Sequence, residues 1–179
     1  MLSTKINTSV KVANLAEINL PFFDAELPPS QDAYVIPHES VKLWSEMVQA
    51  ADGVVFIVPE YNHSLSGIQK NALDWLYKEW AGKPAAFVGY GWHAAENSHA
   101  TFLAVNKNIQ LKLGETFTGL TFMKDINLDG SFIDEDGVRQ KIGETLDELL
   151  SNLDGAFSAE DTPLAGQGPL LSATESARP

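Results

Sequence analysis

The sequence predicts an α/β fold in which a parallel sheet carries helices on both faces. Three observations point there. Strand-like and helix-like segments alternate along the chain. The runs GVVFIV (residues 53–58) and PAAFVGY (84–90) are apolar without alternation, as strands buried on both faces must be. Each run ends in a cluster of polar and aromatic side chains, where sheets of this kind bind ligands.

Taken in order, VKVANL (10–15) reads as a short strand, followed by a proline-punctuated loop over 20–37. Residues 38–50 place Val41, Trp44 and Val48 on one helical stripe. After the strand at 53–58, a helix is expected over 66–80, with Ile68, Ala72, Leu76 and Trp80 in line and Ser66 with Gln69 as a capping box. The strand at 84–90 precedes a helix over 98–111, started by Ser98 and carrying Phe102, Val105 and Ile109. FTGLTF (117–122) reads as a strand. Residues 137–153 form the strongest helical pattern, with Val138, Ile142, Leu146, Leu149 and Leu153 on one face. From residue 154 the composition turns to Gly, Pro, Ser, Thr and Ala without periodicity, so one domain over 1–153 and a disordered tail over 154–179 are expected.

Composition narrows the function. A length of 179 residues suits one α/β domain. The net charge of −12 and the lack of any Lys/Arg cluster argue against a nucleic-acid surface. With no cysteine, disulfides, thiolate catalysis and Cys-ligated metals are excluded. No apolar run is long enough to span a bilayer, and the N-terminus lacks a secretory pattern. The expectation is a cytoplasmic protein with neither a membrane nor a nucleic-acid partner.

The chemistry gathers at two strand ends. In PEYNHS (59–64), Pro59 turns the chain off its strand, Tyr61 offers a ring and a hydroxyl, and Asn62 offers amide donors and an acceptor. The segment either holds a flat, polar-edged heterocycle or simply connects the strand to the helix from Ser66. In GYGWHAAENS (89–98), Gly89 and Gly91 permit close backbone approach, and Tyr90 and Trp92 can flank a ring. The histidines His38, His63, His93 and His99 lack metal-ligand spacing, so no metal site is expected. Ser64 and Ser66 lack the context of a hydrolase elbow. Glu60 and Asp74 read as a turn residue and a helix-surface residue. The acidic segment 129–137 lacks calcium-ligand spacing and is expected to cap the last helix.

The stretch VPEYNHSLSGIQKNALDWLYKEWAGKPAAFVGYG resembles the NADPH-dependent FMN reductase family, whose members are flavodoxin-like. The PEYN turn, the KNALDWL helix and the GKP-strand-YG segment stand in the family's order and spacing. The resemblance is sharp over residues 51–91 and extends in layout over 10–153. It implies a flavodoxin-like three-layer sandwich that binds FMN and takes hydride from NADPH. Electrons would pass to a small-molecule acceptor, as in an FMN/quinone reductase. It also implies that Pro59, Glu60, Tyr61, Asn62 and His63 lie at the isoalloxazine ring, with Gly89, Tyr90, Gly91 and Trp92 near its pyrimidine end. The flavin would do the redox chemistry, so no catalytic side chain is assigned. The family's helix dimerisation, with Trp75 lying off the main stripe, implies a homodimer; the alternative for Trp75 is burial against a loop of its own chain.

Two departures stand out. Bulky Trp92 and His93 replace a glycine-rich run. More importantly, residues 10–24 match the family's second strand, and the first strand–helix unit with its phosphate-cradling loop has no counterpart, since such a unit needs on the order of 30 residues. Three accounts are open: the sequence derives from a truncated product or a misplaced start, the strand at 10–15 closes directly on 53–58 in a four-stranded sheet, or a partner chain supplies a strand. The alternative function is an FMN-deficient, non-catalytic remnant acting as a dimerising or interaction protein.

Overall fold

β-Strand Pro84–Gly91 is the axis of the molecule. The computed structural model describes residues 8–160, the side chains of 155–160 excepted. The elements are α1 (Leu15–Ile18), α2 (Glu39–Gln49), β1 (Val54–Pro59), α3 (Gly67–Asp74), β2 (Pro84–Gly91), α4 (Glu96–Ile109), β3 (Lys112–Leu113), β4 (Thr118–Thr121) and α5 (Glu135–Glu160). Every strand pairing is parallel. β1 runs along one side of β2, from Val54 opposite Ala85 to Pro59 opposite Tyr90. β3 and β4 share the other side, opposite the start and the end of β2.

The apolar run of β2 is explained by its position, because both its faces are covered. On one face Phe87 and Ala85 join Phe56 and Val58 of β1 in a core with Val41, Trp44 and Val48 of α2, Ala72 and Leu73 of α3, Trp80, and Phe102 and Ile109 of α4. On the other face α5 lies over β2 and β4. There Leu120, Ile126 and Val138 form a smaller core with Tyr90, Phe122 and Ile142, and the hydroxyls of Thr118 and Thr145 meet at 2.8 Å. The result is the expected flavodoxin-like layered fold with a parallel sheet.

The expected strand at residues 10–15 does not form. Asn14 turns the chain instead, its Oδ1 accepting from the Ala16 amide at 3.2 Å, and Asn19 closes α1 in the left-handed region at φ 52°. Asparagine side chains compete with strand ladders in this way, and no strand among the described residues pairs the segment. Val10 and Val12 are exposed. The chain continues over α3, where the Pro21 carbonyl accepts from Asn71 Nδ2 and Trp75 Nε1, both at 2.8 Å, and the Phe23 amide donates to Asn71 Oδ1 at 3.1 Å. Trp75 is therefore fully buried against a loop of its own chain, with Phe23 and His38 against its ring, and presents no second face for a dimer. The sheet has four strands among the described residues, but the fourth is β3.

Helix ends differ from the sequence expectation for identifiable reasons. α3 stops at Asp74 rather than near Trp80 because the indoles of Trp44 and Trp80 take the Ala72 and Leu73 carbonyls, at 2.9 and 3.2 Å. Ser66 caps α3 as expected, its Oγ accepting from the Gln69 backbone amide at 3.4 Å and donating to Gln69 Oε1 at 2.9 Å, while Gln69 Nε2 donates to the Ile57 carbonyl at 2.6 Å. α5 begins at Glu135 and extends to Glu160. The rest of the expected tail, 161–179, lies outside the described residues.

Candidate functional site

Three turns meet at the carboxyl end of the sheet. The first follows β1. Glu60 still pairs with β2, its amide donating to the Tyr90 carbonyl at 2.9 Å, and residues 61–64 then close a two-residue hairpin. Tyr61 and Ser64 exchange both backbone bonds, at 3.1 and 3.0 Å, while Asn62 and His63 take φ of 49° and 60°. Positive φ at both central positions is the signature of a type I′ turn, which asparagine tolerates well and histidine less so. The turn holds Tyr61 outward, 61% exposed.

The second turn, residues 92–95, joins β2 to α4. Ala94 and Ala95 stand in the left-handed region at φ 52° and 57°, where a non-glycine residue costs on the order of 1–2 kcal/mol. Trp92 is 60% exposed, and its ring rests on Phe122 at 5.5 Å. The third turn follows β4, with the Phe122 amide donating to the Gly91 carbonyl at 3.1 Å and Met123 at φ 63°. Five of the seven non-glycine residues with positive φ among the described residues lie in these three turns. Such clustering of backbone strain is characteristic of functional sites.

The structure brings all nine residues expected at the site to this end of the sheet, in different roles. Pro59 and Tyr90 are paired in register, and the Tyr90 ring turns toward Phe122 and the α5 side. Burial first, and then nearby Tyr61, push the Tyr90 phenol above its ordinary pKa. Gly89 and Gly91 serve close approach by the protein itself. A Cβ on Gly89 would lie 2.5 Å from the Ala95 Cβ, and one on Gly91 would lie 3.1 Å from the Glu60 Cβ. The imidazoles of His63 and His93 face each other from the first two turns at 6.2 Å.

The Glu60 carboxylate is bonded to the start of α4. It accepts from the Asn97 amide at 2.9 Å, the Ser98 amide at 3.2 Å and Asn97 Nδ2 at 3.1 Å, with His63 Nδ1 3.7 Å away. Burial alone would raise its pKa, but these hydrogen bonds and the neighbouring imidazole outweigh burial and hold it below its ordinary value. α4 accordingly starts at Glu96, two residues before the Ser98 start expected from sequence. Sequence reasoning missed Asn97, Ser98 and Phe122. The strand-end rule applied to FTGLTF would have found Phe122, whereas no local pattern marks Asn97. Among the described residues no cluster of three metal-ligating side chains occurs. A cavity of about 540 Å³ lies at the opposite end of the sheet around Lys83, Asp52 and Leu153.

The parallel sheet and the ring-flanked turns at its carboxyl end place the protein among flavodoxin-like α/β proteins. More particularly, the chain belongs to the NADPH-dependent FMN reductase family, whose family model matches residues 2–111. It is 32% identical over 124 residues to the NAD(P)H-dependent FMN reductase C4B3.06c of Schizosaccharomyces pombe, covering 69% of this chain and 62% of that one. It is 43% identical over 88 residues to the NAD(P)H-dependent FMN reductase LOT6 of Saccharomyces cerevisiae, covering 47% and 46%. The match therefore spans less than two thirds of either relative. Among solved structures it resembles FerB, a flavoenzyme NAD(P)H:(acceptor) oxidoreductase from Paracoccus denitrificans, with a TM-score of 0.56 and 27% identity over 73% of this chain and 76% of that one.

Proposed function

We propose that the protein is an NAD(P)H-dependent oxidoreductase of the FMN/quinone reductase type, with the FMN ring held between the first two turns. The observation that carries this reading is the pair Tyr61 and Trp92, both more than half exposed, on neighbouring strand-end turns of a chain in this family. Large exposed aromatic rings flanking one opening suit a flat heterocycle. The donor set also fits a flavin ring, because the exposed Asn62 side chain supplies amide donors and an acceptor of the kind its polar edge requires. Bound FMN would supply the redox chemistry, accepting hydride from NADPH and passing electrons to a small-molecule acceptor. The chain's own residues then bind and orient: Tyr61 and Trp92 shield the ring from water, Asn62 and His63 present polar groups to its edge, and Pro59 and Gly91 fix the turns to the sheet. No side chain is assigned as a proton donor.

The same reading takes the protein as a cytoplasmic homodimer. Leu43 and Met47, exposed one turn apart on α2, support an apolar contact strip. No described helix is long and apolar enough to cross a membrane.

A second reading has its own observation. Among the described residues before β1 the helices are α1 and α2, and neither is opened by a glycine-rich turn that could cradle a phosphate. An FMN-deficient interaction protein would show this arrangement. NADPH oxidation followed at 340 nm, with FMN and a quinone added, separates the two. Turnover that needs FMN supports the reductase; a folded dimer without FMN-dependent turnover supports the remnant.

A further inference from the structure

We propose that Glu60 is a positioning residue whose carboxylate latches the second turn to the first and so fixes the width of the opening between Tyr61 and Trp92. The inference rests on the ring site described above but concerns a side chain bonded to the start of α4.

Three features lead to this role. First, the N-cap of α4 is Ala95, which has no side-chain acceptor. The amides of Asn97 and Ser98, which an N-cap side chain would ordinarily satisfy, donate instead to Glu60, 37 and 38 residues earlier. A carboxylate at this point also meets the positive end of the helix. Second, the two residues before the helix are consecutive left-handed alanines, a conformation that persists only where the surroundings over-determine it. The turn is wedged in place: a Cβ on Gly119 would lie 2.3 Å from the Ala94 carbonyl oxygen, and Gly89 admits the Ala95 methyl on the other side. Glu60 holds the remaining, helical end. Third, the carboxylate is tied to both turns at once. Asn97 Nδ2 reaches Glu60 Oε1 at 3.1 Å and His63 Nδ1 at 3.0 Å, so one side chain of α4 joins the Glu60 latch to the exposed corner of the first turn. The Glu60 side chain is only 7% exposed, whereas that of His63, three residues on, is 72% exposed. Gly91 lets it sit this close to β2.

Trp92 lies at the start of the latched turn, and this supplies a selective readout. Trp44, Trp75 and Trp80 are buried, so acrylamide quenching of tryptophan fluorescence reports chiefly on Trp92. The full chain without added flavin would be compared with Glu60→Gln and Glu60→Ala. Glu148→Gln is the control, since Glu148 likewise accepts from two backbone amides, those of Glu115 and Thr116, but beside β3 and β4. All are measured below the onset of thermal unfolding. Loss of charge-assisted bonds of this strength predicts a quenching constant raised about twofold in Glu60→Ala, with Glu60→Gln intermediate because it keeps one acceptor oxygen. Glu148→Gln should lower the melting temperature and leave quenching unchanged. In a flavin titration, Glu60→Ala should bind FMN about tenfold more weakly and the control as wild type. Unchanged quenching in folded Glu60 variants would overturn the proposal and leave Glu60 a stabilising cap only. If Glu60→Ala does not fold, Glu60→Gln carries the same test. If the wild-type chain binds no flavin, the ring site fails, while the quenching comparison still decides the latch.

Discussion

Ile57 and Val88 stand side by side in the register of β1 and β2, on the same face of the sheet, yet Ile57 is 66% exposed and Val88 7%. α5 accounts for the difference, because it packs chiefly on β2 and β4. The adjacent pair, Phe56 and Phe87, points to the other face and packs there on Phe102 at 4.9 and 5.2 Å, under α2, α3 and α4. A run as apolar as VVFIV is suited to burial on both faces, and here one face is covered, with Val58 buried and Val54 and Phe56 partly buried. The backbone tells the same story. With the Glu60 amide turned to β2, alternation turns the Ile57 carbonyl to the open edge, where the Gln69 side chain meets it.

The largest expected effect falls on the closed face. Trp80→Ala removes a ring packed on Trp44 and Phe56 and an indole donor to Leu73, and should cost about 3–5 kcal/mol in urea unfolding. Ile57→Ala, on the open face, should cost no more than about 0.5 kcal/mol. Similar costs for the two would mean that something covers Ile57 in solution, and the contrast would fail.

At the carboxyl end the contrast is between exposed rings and held backbone. Tyr61→Ala and Trp92→Ala should each weaken FMN binding about threefold to tenfold while leaving the melting temperature within a few degrees, as exposed aromatic contacts imply. A large loss of stability in either would mean that the ring belongs to the core rather than to the opening.

A smaller effect follows acid. The Glu60 carboxyl lies below its ordinary value of 4.5, and that of Asp125 lies below its ordinary 3.8, where burial is outweighed by hydrogen bonds from Lys141 and the Thr121 amide. A lowered folded pKa contributes stability that is present above the ordinary value and is lost as pH falls through the folded one. Urea midpoints should therefore be flat near neutrality and fall below about pH 4.5. The Glu60→Gln variant should show a shallower fall than wild type. An equal fall would mean that the carboxylate is not held as described.

The parts of the fold set by local pattern were legible in the sequence. The apolar runs of β1 and β2 located the sheet, and the polar clusters after them located both turns. What was not legible is long-range. Glu60 reads as a turn residue because the amides it caps lie 37 and 38 residues away. Trp75 reads as a second helical face because the Pro21 carbonyl that receives its indole sits in a loop with no pattern of its own. Residues 10–15 carry β-branched alternation but find no strand partner among the described residues, and Asn14 and Asn19 shape the segment locally. The glycines of the second loop suggest room for a ligand in the sequence, and the structure fills that room with Ala95 and Glu60.

The most direct test of the account is a pair of fluorescence titrations of the 179-residue chain, with FMN and with riboflavin. If the turns around Tyr61 and Trp92 hold a flavin by its ring, both flavins should be quenched saturably, with affinities within about fivefold of one another. If neither flavin binds saturably, the central claim is contradicted.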